Sequence, residues 1–415
     1  MAKVVLRKIL IIEDTPTIAK VQKHIATTVG YHVDIAESLA EAKALLSQHD
    51  YFCAVVDFVL PDAPLGEAIP CTVKADIPTI VMTGNLESQT RSIVEQYPII
   101  DYITKENKQA YHYLRRQLER LPRNENVRVL VVDDSISSRH YVSALLTRHK
   151  YQVLEACDGI EALAVLKDNP DISVIITDNE MPNMRGEELC IEIRRLYTDD
   201  DKAIIGISGV ETENLSTRFL KNGANDYLRK PFNAEEFYCR LSQNVDMLEH
   251  IQTIRRQANT DYLTSLPNRR YFFDTVKKSL KARHKKELYG LIAMIDIDHF
   301  KQVNDKYGHE GGDAVLESIG QAFAQYFPND LVARLGGEEF AIYFKDTVAD
   351  HCKERLECFR EYLEQSSNEL TEQQISFTVS MGLAAQVTTD IESLIKRADE
   401  RLYQAKASGR NRLVH

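Results

Sequence analysis

The strongest constraint on this chain is a pattern that is written twice. Lys8-Ile-Leu-Ile-Ile-Glu-Asp14 is a short apolar run ending in two acids. Cys53-Ala-Val-Val-Asp57 ends in one acid, Ile77-Pro-Thr-Ile-Val-Met-Thr83 in a hydroxyl, and Ile99-Ile-Asp-Tyr-Ile-Thr-Lys105 in a lysine. The series returns as Val127-Arg-Val-Leu-Val-Val-Asp-Asp134, Val174-Ile-Ile-Thr-Asp178, Ile204-Ile-Gly-Ile-Ser208 and Asp226-Tyr-Leu-Arg-Lys230. Asp14 and Asp57 are 43 residues apart and Asp134 and Asp178 are 44 apart, while hydroxyl and lysine are 22 apart both times. Short continuous apolar runs alternating with helical patterns predict parallel sheets buried on both faces. Polar residues then gather beyond the C-terminal strand ends, where such sheets do their chemistry. A period of roughly 120 residues is too long for a solenoid unit and predicts two tandem α/β domains. Their expected bounds are 1–122 and 127–245, with Pro122-Arg-Asn-Glu-Asn126 as the linker.

Beyond the repeat, Phe237, Leu241, Asn244, Leu248, Ile251 and Ala258 follow 4-3 spacing, interrupted by Arg255. This predicts a connecting helix over 237–260 with one apolar seam, which either pairs with another helix or packs on its own domain. A third domain is expected over 261–415. Its expected strands are Leu291–Ile297, Leu331–Leu335, Phe340–Phe344 and Ser376–Leu383, and the two around Gly336-Gly337 read as a hairpin. That makes it α+β, with a sheet at least partly antiparallel.

Charge and cysteine content narrow the function. A net charge of −11 has the wrong sign for a protein that grips nucleic acid with its whole surface. No separate helix-turn-helix pattern follows the repeats, so a transcription factor is not expected. Seven scattered cysteines with no C-x-x-C pair argue against a disulfide framework and a structural zinc site, and fit a reducing cytoplasm. The apolar run Ile9–Ile12 is too short for a signal-peptide core, and no run approaches the ~18 residues of a membrane span. The expectation is a cytoplasmic protein engaging neither membrane nor nucleic acid.

Glu13, Asp14 and Asp57 are expected at one sheet edge, as are Asp133, Asp134 and Asp178. Three crowded carboxylates are costly unless a cation joins them, and Mg²⁺ suits hard oxygen ligands. A hydroxyl (Thr83, Ser208) and a lysine (Lys105, Lys230) complete a pocket able to hold a phosphoryl group. Taken singly, acids after strands often cap the next helix; four features recurring in order make that reading poor. On these residues the two repeats resemble the receiver domains of two-component response regulators, which are flavodoxin-like (CheY-like). The resemblance implies phosphorylation of Asp57 and Asp178 by a histidine kinase or phosphotransfer protein, acid pairs that bind Mg²⁺, and an aromatic switch position at Tyr102 and Tyr227. Lys230 is followed by the usual Pro231 but Lys105 by Glu106, and Asp62-Ala-Pro-Leu-Gly66 is less regular than Met181-Pro-Asn-Met-Arg-Gly186. Pattern quality therefore favours Asp178, although both sites keep the required groups.

In the third domain, Ile295-Asp-Ile-Asp-His-Phe-Lys301 places Asp296 and Asp298 on the same side of a strand by period-two alternation. Arg334-Leu-Gly-Gly-Glu-Glu-Phe340 puts Glu338 and Glu339 directly after two glycines, whose missing Cβ lets a nucleotide approach. Asp296 and Glu338 could hold one or two Mg²⁺ against a triphosphate. Alone, Gly-Gly-Glu-Glu is most often an exposed turn. Here it is accompanied by Asp261-Tyr-Leu-Thr-Ser-Leu-Pro-Asn-Arg-Arg270, by Asp296-Ile-Asp-His-Phe-Lys-Gln-Val-Asn-Asp305, by Tyr307-Gly-His-Glu-Gly-Gly-Asp313, and by Ala398–Lys406 leading to Gly409-Arg410-Asn411. In order and spacing these resemble the GGDEF family of diguanylate cyclases, whose fold is nucleotidyl-cyclase-like. The whole plan is similar to PleD-type response regulators.

That resemblance implies condensation of two GTP into cyclic di-GMP with release of two pyrophosphates. Asp296, the carbonyl of Ile297 and Glu338 would bind Mg²⁺ (or Mn²⁺), with Glu338 also helping to deprotonate the attacking 3′-hydroxyl and Glu339 supporting the site. Asn304 and Asp313 would read guanine, His309 would lie against the nucleotide unless it is a cap or packing histidine, and Lys301, Lys406 and Arg410 would neutralise phosphates. A two-fold symmetric product from one-pocket domains needs two pockets face to face, hence a homodimer governed by receiver phosphorylation. The rival reading is a catalytically inactive GTP-binding adaptor that relays phosphorylation. Many relatives carry an Arg-x-x-Asp inhibitory site before the signature; here Phe327-Pro-Asn-Asp330 has Phe in the arginine position, so no product feedback through it is expected.

Overall fold

The computed structural model describes residues 7–84, 88–105, 108–209, 215–284, 290–345 and 348–415. Glu106, the departure after Lys105, and the first six residues lie outside them. The chain divides into two compact units, 1–250 and 251–415.

Unit 1 holds both repeats. The first runs β1 (Lys8–Ile12), α1 (Pro16–Thr28), β2 (His32–Ala36), α2 (Leu39–Leu46), β3 (Cys53–Asp57), α3 (Ile69–Lys74), β4 (Thr79–Thr83), α4 (Ser88–Val94), β5 (Asp101–Thr104) and α5 (Lys108–Asn124). The second repeats the order with β6 (Arg128–Val132), α6 (Ile136–Arg148), β7 (Gln152–Ala156), α7 (Gly159–Asp168), β8 (Ile172–Asp178), α8 (Gly186–Leu196), β9 (Ala203–Ser208), α9 (Leu215–Lys221), β10 (Asp226–Arg229) and α10 (Ala234–Asn259). Each sheet is fully parallel, ordered β2-β1-β3-β4-β5 and β7-β6-β8-β9-β10. Every residue of β3, β4 and β9 is buried, as expected of strands covered by helices on both faces. The repeat extends to the caps. Ser38 accepts from the Glu41 amide at the start of α2, and Asp158, 120 positions on, accepts from the Glu161 amide at the start of α7.

Two expectations need correction here. The linker expected over 122–126 is mostly helix, because α5 continues through Pro122 to Asn124. Asn124 is buried and its amide donates to the His149 carbonyl at 2.8 Å, so this turn is anchored in the second receiver rather than solvated. The seam of α10 is also shifted. Phe237, Leu241, Val245 and Leu248 are buried in the second receiver's core, so Val245 takes the place expected of Asn244. Met247 and Ile254 remain exposed, at 59% and 63%.

Unit 2 contains α11 (Arg269–His284), β11 (Gly290–Ile297), α12 (Phe300–Tyr326), β12 (Leu331–Gly336), β13 (Glu339–Tyr343), α13 (Ala349–Ser366), β14 (Val379–Gln386), α14 (Ile391–Ala407) and β15 (Leu413–Val414). The sheet order is β12-β13-β11-β14-β15, antiparallel except for the β14–β15 pair. β11 is central and wholly buried, with an apolar core on each side of it. β14 begins and ends three residues later than expected, because residues 376–378 bond to loops and not to a strand ladder: the Phe377 amide donates to Ser367 and the Thr378 hydroxyl to Asp298. Among the described residues no helix is long and apolar enough to cross a membrane.

Candidate active site and phospho-acceptor sites

Each receiver gathers its polar residues at the C-terminal ends of its strands. In the first, Lys105 Nζ lies 2.7 Å from both Glu13 Oε2 and Asp57 Oδ2. Glu13 also accepts from the Gln22 amide at 3.1 Å. Burial pushes the Glu13 carboxyl up, Lys105 pulls it down, and Asp57 adds to the rise. Among the described residues, Glu13, Asp14 and Asp57 form the one acidic trio whose ligand oxygens all lie within 4.8 Å of one another. Thr83 is buried at the neighbouring strand end. Tyr102 turns outward, and its phenol hydrogen-bonds to Glu235 at the start of α10; burial and that bond push it up to about 12.

The second receiver uses the same parts differently. Lys230 Nζ bridges Asp133 Oδ2 and Asp178 Oδ1, both at 2.7 Å, and also contacts the Ser138 hydroxyl at 2.8 Å. Ser138 donates to Asp133 at 2.5 Å, and the Ser135 amide donates to its other oxygen. Asp134 is exposed, and among the described residues no trio forms with it. The reason is local: Ser138 comes off the first turn of α6 and fills the space beside Asp133, whereas the matching residue on α1 is Ile18. Burial raises the Asp178 carboxyl, with Lys230 opposing. Tyr227 turns inward, its phenol bonded to Ser208.

In unit 2 the carboxylates meet at the end of β11. Asp296 pairs in register with Glu339 of β13, and the Ile297 amide donates to the Glu338 carbonyl at 3.4 Å. Burial pushes the Asp296 carboxyl up to about 6; Lys406 pulls it down, while Glu338 and Glu339 push it further up. Lys406, expected on phosphates, lies 2.8 Å from Asp296 Oδ2. The β12–β13 hairpin turns on Gly336 and Gly337, with φ of 146° and 53°, values that a side chain would strain. A Cβ built on either meets nothing within 4 Å, so the backbone there is open to a ligand.

Asp298 does not share this cluster. β11 ends at Ile297, and Asp298 instead accepts from Thr378, Ser380 and the Asn411 amide at 2.6–3.0 Å. It ties the turn after β11 to β14 and to the Gly409-Arg410-Asn411 loop, where Arg410 adopts a left-handed φ of 62°. α12 is two helices broken at Gly308, whose φ of 74° and ψ of 174° are non-helical. The break leaves Asn304 against Gly312, beside Asp313: a Cβ on Gly312 would lie 1.9 Å from Asn304 Oδ1. Lys301, His309 and Asp313 are exposed on α12.

Two residues quoted in the motifs, but given no role from sequence, hold the hairpin. Arg334 donates through Nε and Nη2 to the Gly337 carbonyl at 2.9 and 2.8 Å, and its Nη1 bonds to Asp261 at 3.1 Å. Their signal was co-occurrence alone, since an arginine before a glycine turn has no obligatory partner. Asp330 lies 2.6 Å from Arg355 and accepts from the Lys345 amide, while Arg355 stacks over Phe327 at 4.9 Å.

Comparison with known proteins follows this division. Residues 9–113 and 129–242 match the response regulator receiver domain, and residues 258–412 match the family Diguanylate cyclase, GGDEF domain. The response regulator PleD of Caulobacter vibrioides is 28% identical over 308 residues, which are 69% of this chain and 65% of PleD, just under two thirds of that protein's length. Diguanylate cyclase A of Treponema denticola is 37% identical over 38% of this chain and 44% of its own. A solved structure described as a two-component system response regulator/GGDEF domain protein is 38% identical, with a TM-score of 0.53 over 59% of this chain and 99% of its own. With receiver matches over more than half its length and a GGDEF domain after them, the chain belongs to the response regulator receiver family and has the PleD-type arrangement.

Proposed function

We propose that this chain is a diguanylate cyclase that joins two GTP into cyclic di-GMP, releasing two pyrophosphates, under control of receiver phosphorylation. The observation that carries the reading is the convergence of Asp296 with Glu338 and Glu339 beside an open glycine hairpin. An aspartate pushed up to about 6 by burial, and further by two neighbouring carboxylates, is part of a donor set that a divalent cation relieves. Asp296, the Ile297 carbonyl and Glu338 would hold Mg²⁺, with Mn²⁺ the alternative. Bound there, the cation would supply charge neutralisation at phosphate and acidify a bound hydroxyl.

The remaining work falls to the chain. Glu338 takes the proton of the 3′-hydroxyl, whose oxygen then bonds to the α-phosphorus of the second GTP as pyrophosphate leaves. Asn304 and Asp313, brought near each other by the break at Gly308, recognise the guanine edge through an amide and an acid. Lys301 and Arg410 offer charge to the phosphates. Lys406 keeps Asp296 anionic and places an ammonium at the same edge. His309, exposed on α12, is left to stack or cap.

Ring closure requires two loaded pockets, so the active species is a pair of copies. On α10, Met247, Ile251, Ile254 and Ala258 recur at 4-3-4 spacing outside the stripe that the second receiver consumes. This is a seam for the same helix of a second copy. The phosphodonor is a histidine kinase or phosphotransfer protein acting at a receiver aspartate.

The test is incubation with GTP and Mg²⁺ followed by separation of the nucleotides. Cyclic di-GMP should form, and Glu338→Ala should lower its rate at least about a hundredfold while leaving the circular dichroism unchanged. GTP binding without product from the wild-type chain would refute the reading in favour of an adaptor.

A further inference from the structure

Between the two receivers lies a cavity of about 690 Å³ that no part of the cyclase reading uses. Its size is within the range of small-molecule sites, roughly 300–1,000 Å³. Its walls are β5, α5 and the end of α4 from the first receiver, and α6 and α10 from the second.

The lining is polarised. At one end, Arg116 Nη2 and Arg120 Nη1 both bond to Asp246, each at 2.5 Å, so two guanidiniums share one carboxylate. Arg148, half-buried at the end of α6, makes no ion pair or hydrogen bond among the described residues. Arg120 and Arg148 both lie near enough to His149 to help burial hold it down at about 3, so it is neutral and adds no charge of its own. Three guanidiniums against Asp246 leave this end cationic even when Asp101 is counted, a lining carboxylate that burial pushes up to about 6. At the other end, Arg91 is flanked by Glu95 and Glu235 at 2.7 and 3.5 Å, which leaves an excess of carboxylate. Asp246 and Glu235 are eleven residues apart on α10, about 16 Å along a helix at 1.5 Å per residue. Phenols line the space between, among them Tyr113 and Tyr141, which are 42% and 49% exposed.

We propose that this cavity binds a nucleoside monophosphate, with its phosphate on the arginine end and its amine-bearing base among the phenols facing the carboxylates. Arginine matches a phosphate bidentately and is less hydrated than lysine, and tyrosine faces stack a planar base at low entropic cost. Carboxylates at the far end accept from N–H groups, which favours guanine, whose ring N1–H and exocyclic amine lie side by side on one edge. Both receivers contribute to each end, so a bound ligand bridges them.

Calorimetric titration of the full chain with 5′-GMP tests this beside two variants. Asn304→Ala/Asp313→Ala disables the guanine contacts proposed for the cyclase pocket. Arg148→Glu reverses the unpaired charge and breaks no bond in the described structure. Binding should persist in Asn304→Ala/Asp313→Ala and weaken at least tenfold in Arg148→Glu, with inorganic phosphate at least tenfold weaker than GMP. No saturable binding up to 5 mM, or binding indifferent to Arg148→Glu, overturns the proposal. Phosphate binding as tightly as GMP overturns it too, since the site would then recognise an anion alone. Cyclase activity is measured separately, so failure here leaves that reading untouched.

Discussion

In the first receiver Lys105 bridges Glu13 and Asp57, an acidic trio converges, and Tyr102 reaches outward to Glu235 on α10. In the second, Lys230 bridges Asp133 and Asp178, Ser138 occupies Asp133, and Tyr227 turns inward to Ser208. The two share residue types and spacing but not wiring. A lysine competes for carboxylate oxygens at both sites, but a cation entering the first meets three carboxylates already gathered, while at the second it must also displace the Ser138 hydroxyl. The first also has a hydrogen bond to the helix that continues toward the cyclase domain. Geometry thus favours the receiver whose sequence pattern is the less regular.

The largest expected effect separates the two outright. With beryllofluoride as the phosphoryl mimic, Asp57→Asn should abolish most of the stimulation of cyclic di-GMP formation, about tenfold or more, while Asp178→Asn should leave most of it. The reverse result would return the role to Asp178 and show that Ser138 is no obstacle. A smaller effect is expected from Ser138→Ala, which frees one oxygen of Asp133. Isothermal titration should show Mg²⁺ affinity at the second receiver rising about threefold to tenfold, with the first unchanged.

The tyrosines sharpen the contrast further. Tyr102→Phe removes a bond across the receiver seam and should lower the stability of unit 1 by about 1 kcal/mol in urea titrations. Tyr227→Phe should cost about as much but act only within its own domain. Combining Tyr102→Phe with Glu235→Ala should then cost less than the sum of the two single changes, because both remove the same bond.

The smallest effect is one of pH. Burial raises the Asp178 carboxyl above its ordinary range, so the folded chain binds that proton more tightly than the unfolded one. The resulting stabilisation is present below about pH 4 and is lost as pH rises through the raised value. Asp178→Asn has no such proton, and its Tm should therefore gain on wild type as pH rises above about 4 in metal-free buffer. An equal Tm difference at every pH would show that Lys230 cancels the cost of burial.

Much of this was legible from the chain. Parallel strands covered on both faces announce themselves as unbroken apolar runs, and the polar residue ending each run marks the site edge, which is how Asp57, Lys105, Asp178 and Lys230 were found. The glycine hairpin and the break at Gly308 were visible as motifs because only glycine suits those dihedrals. What stayed hidden depends on partners remote in sequence. Nothing local says that Ser138 would cap Asp133, that Arg334 would clamp Gly337, or that Lys406 would choose Asp296 over a phosphate. Pro122 read as a break, yet α5 carries on through it, because Asn124 has a buried acceptor to reach. Period-two alternation put Asp298 beside Asp296 only as long as the strand lasted, and it ends one residue too soon.

That anchored asparagine has a mechanical corollary. With α5 pinned up to Asn124 and β6 starting at Arg128, only three residues are left between the repeats to act as a joint. A tether so short keeps the two lobes close neighbours whatever the state of either site, so any swing between them has to turn on residues 125–127.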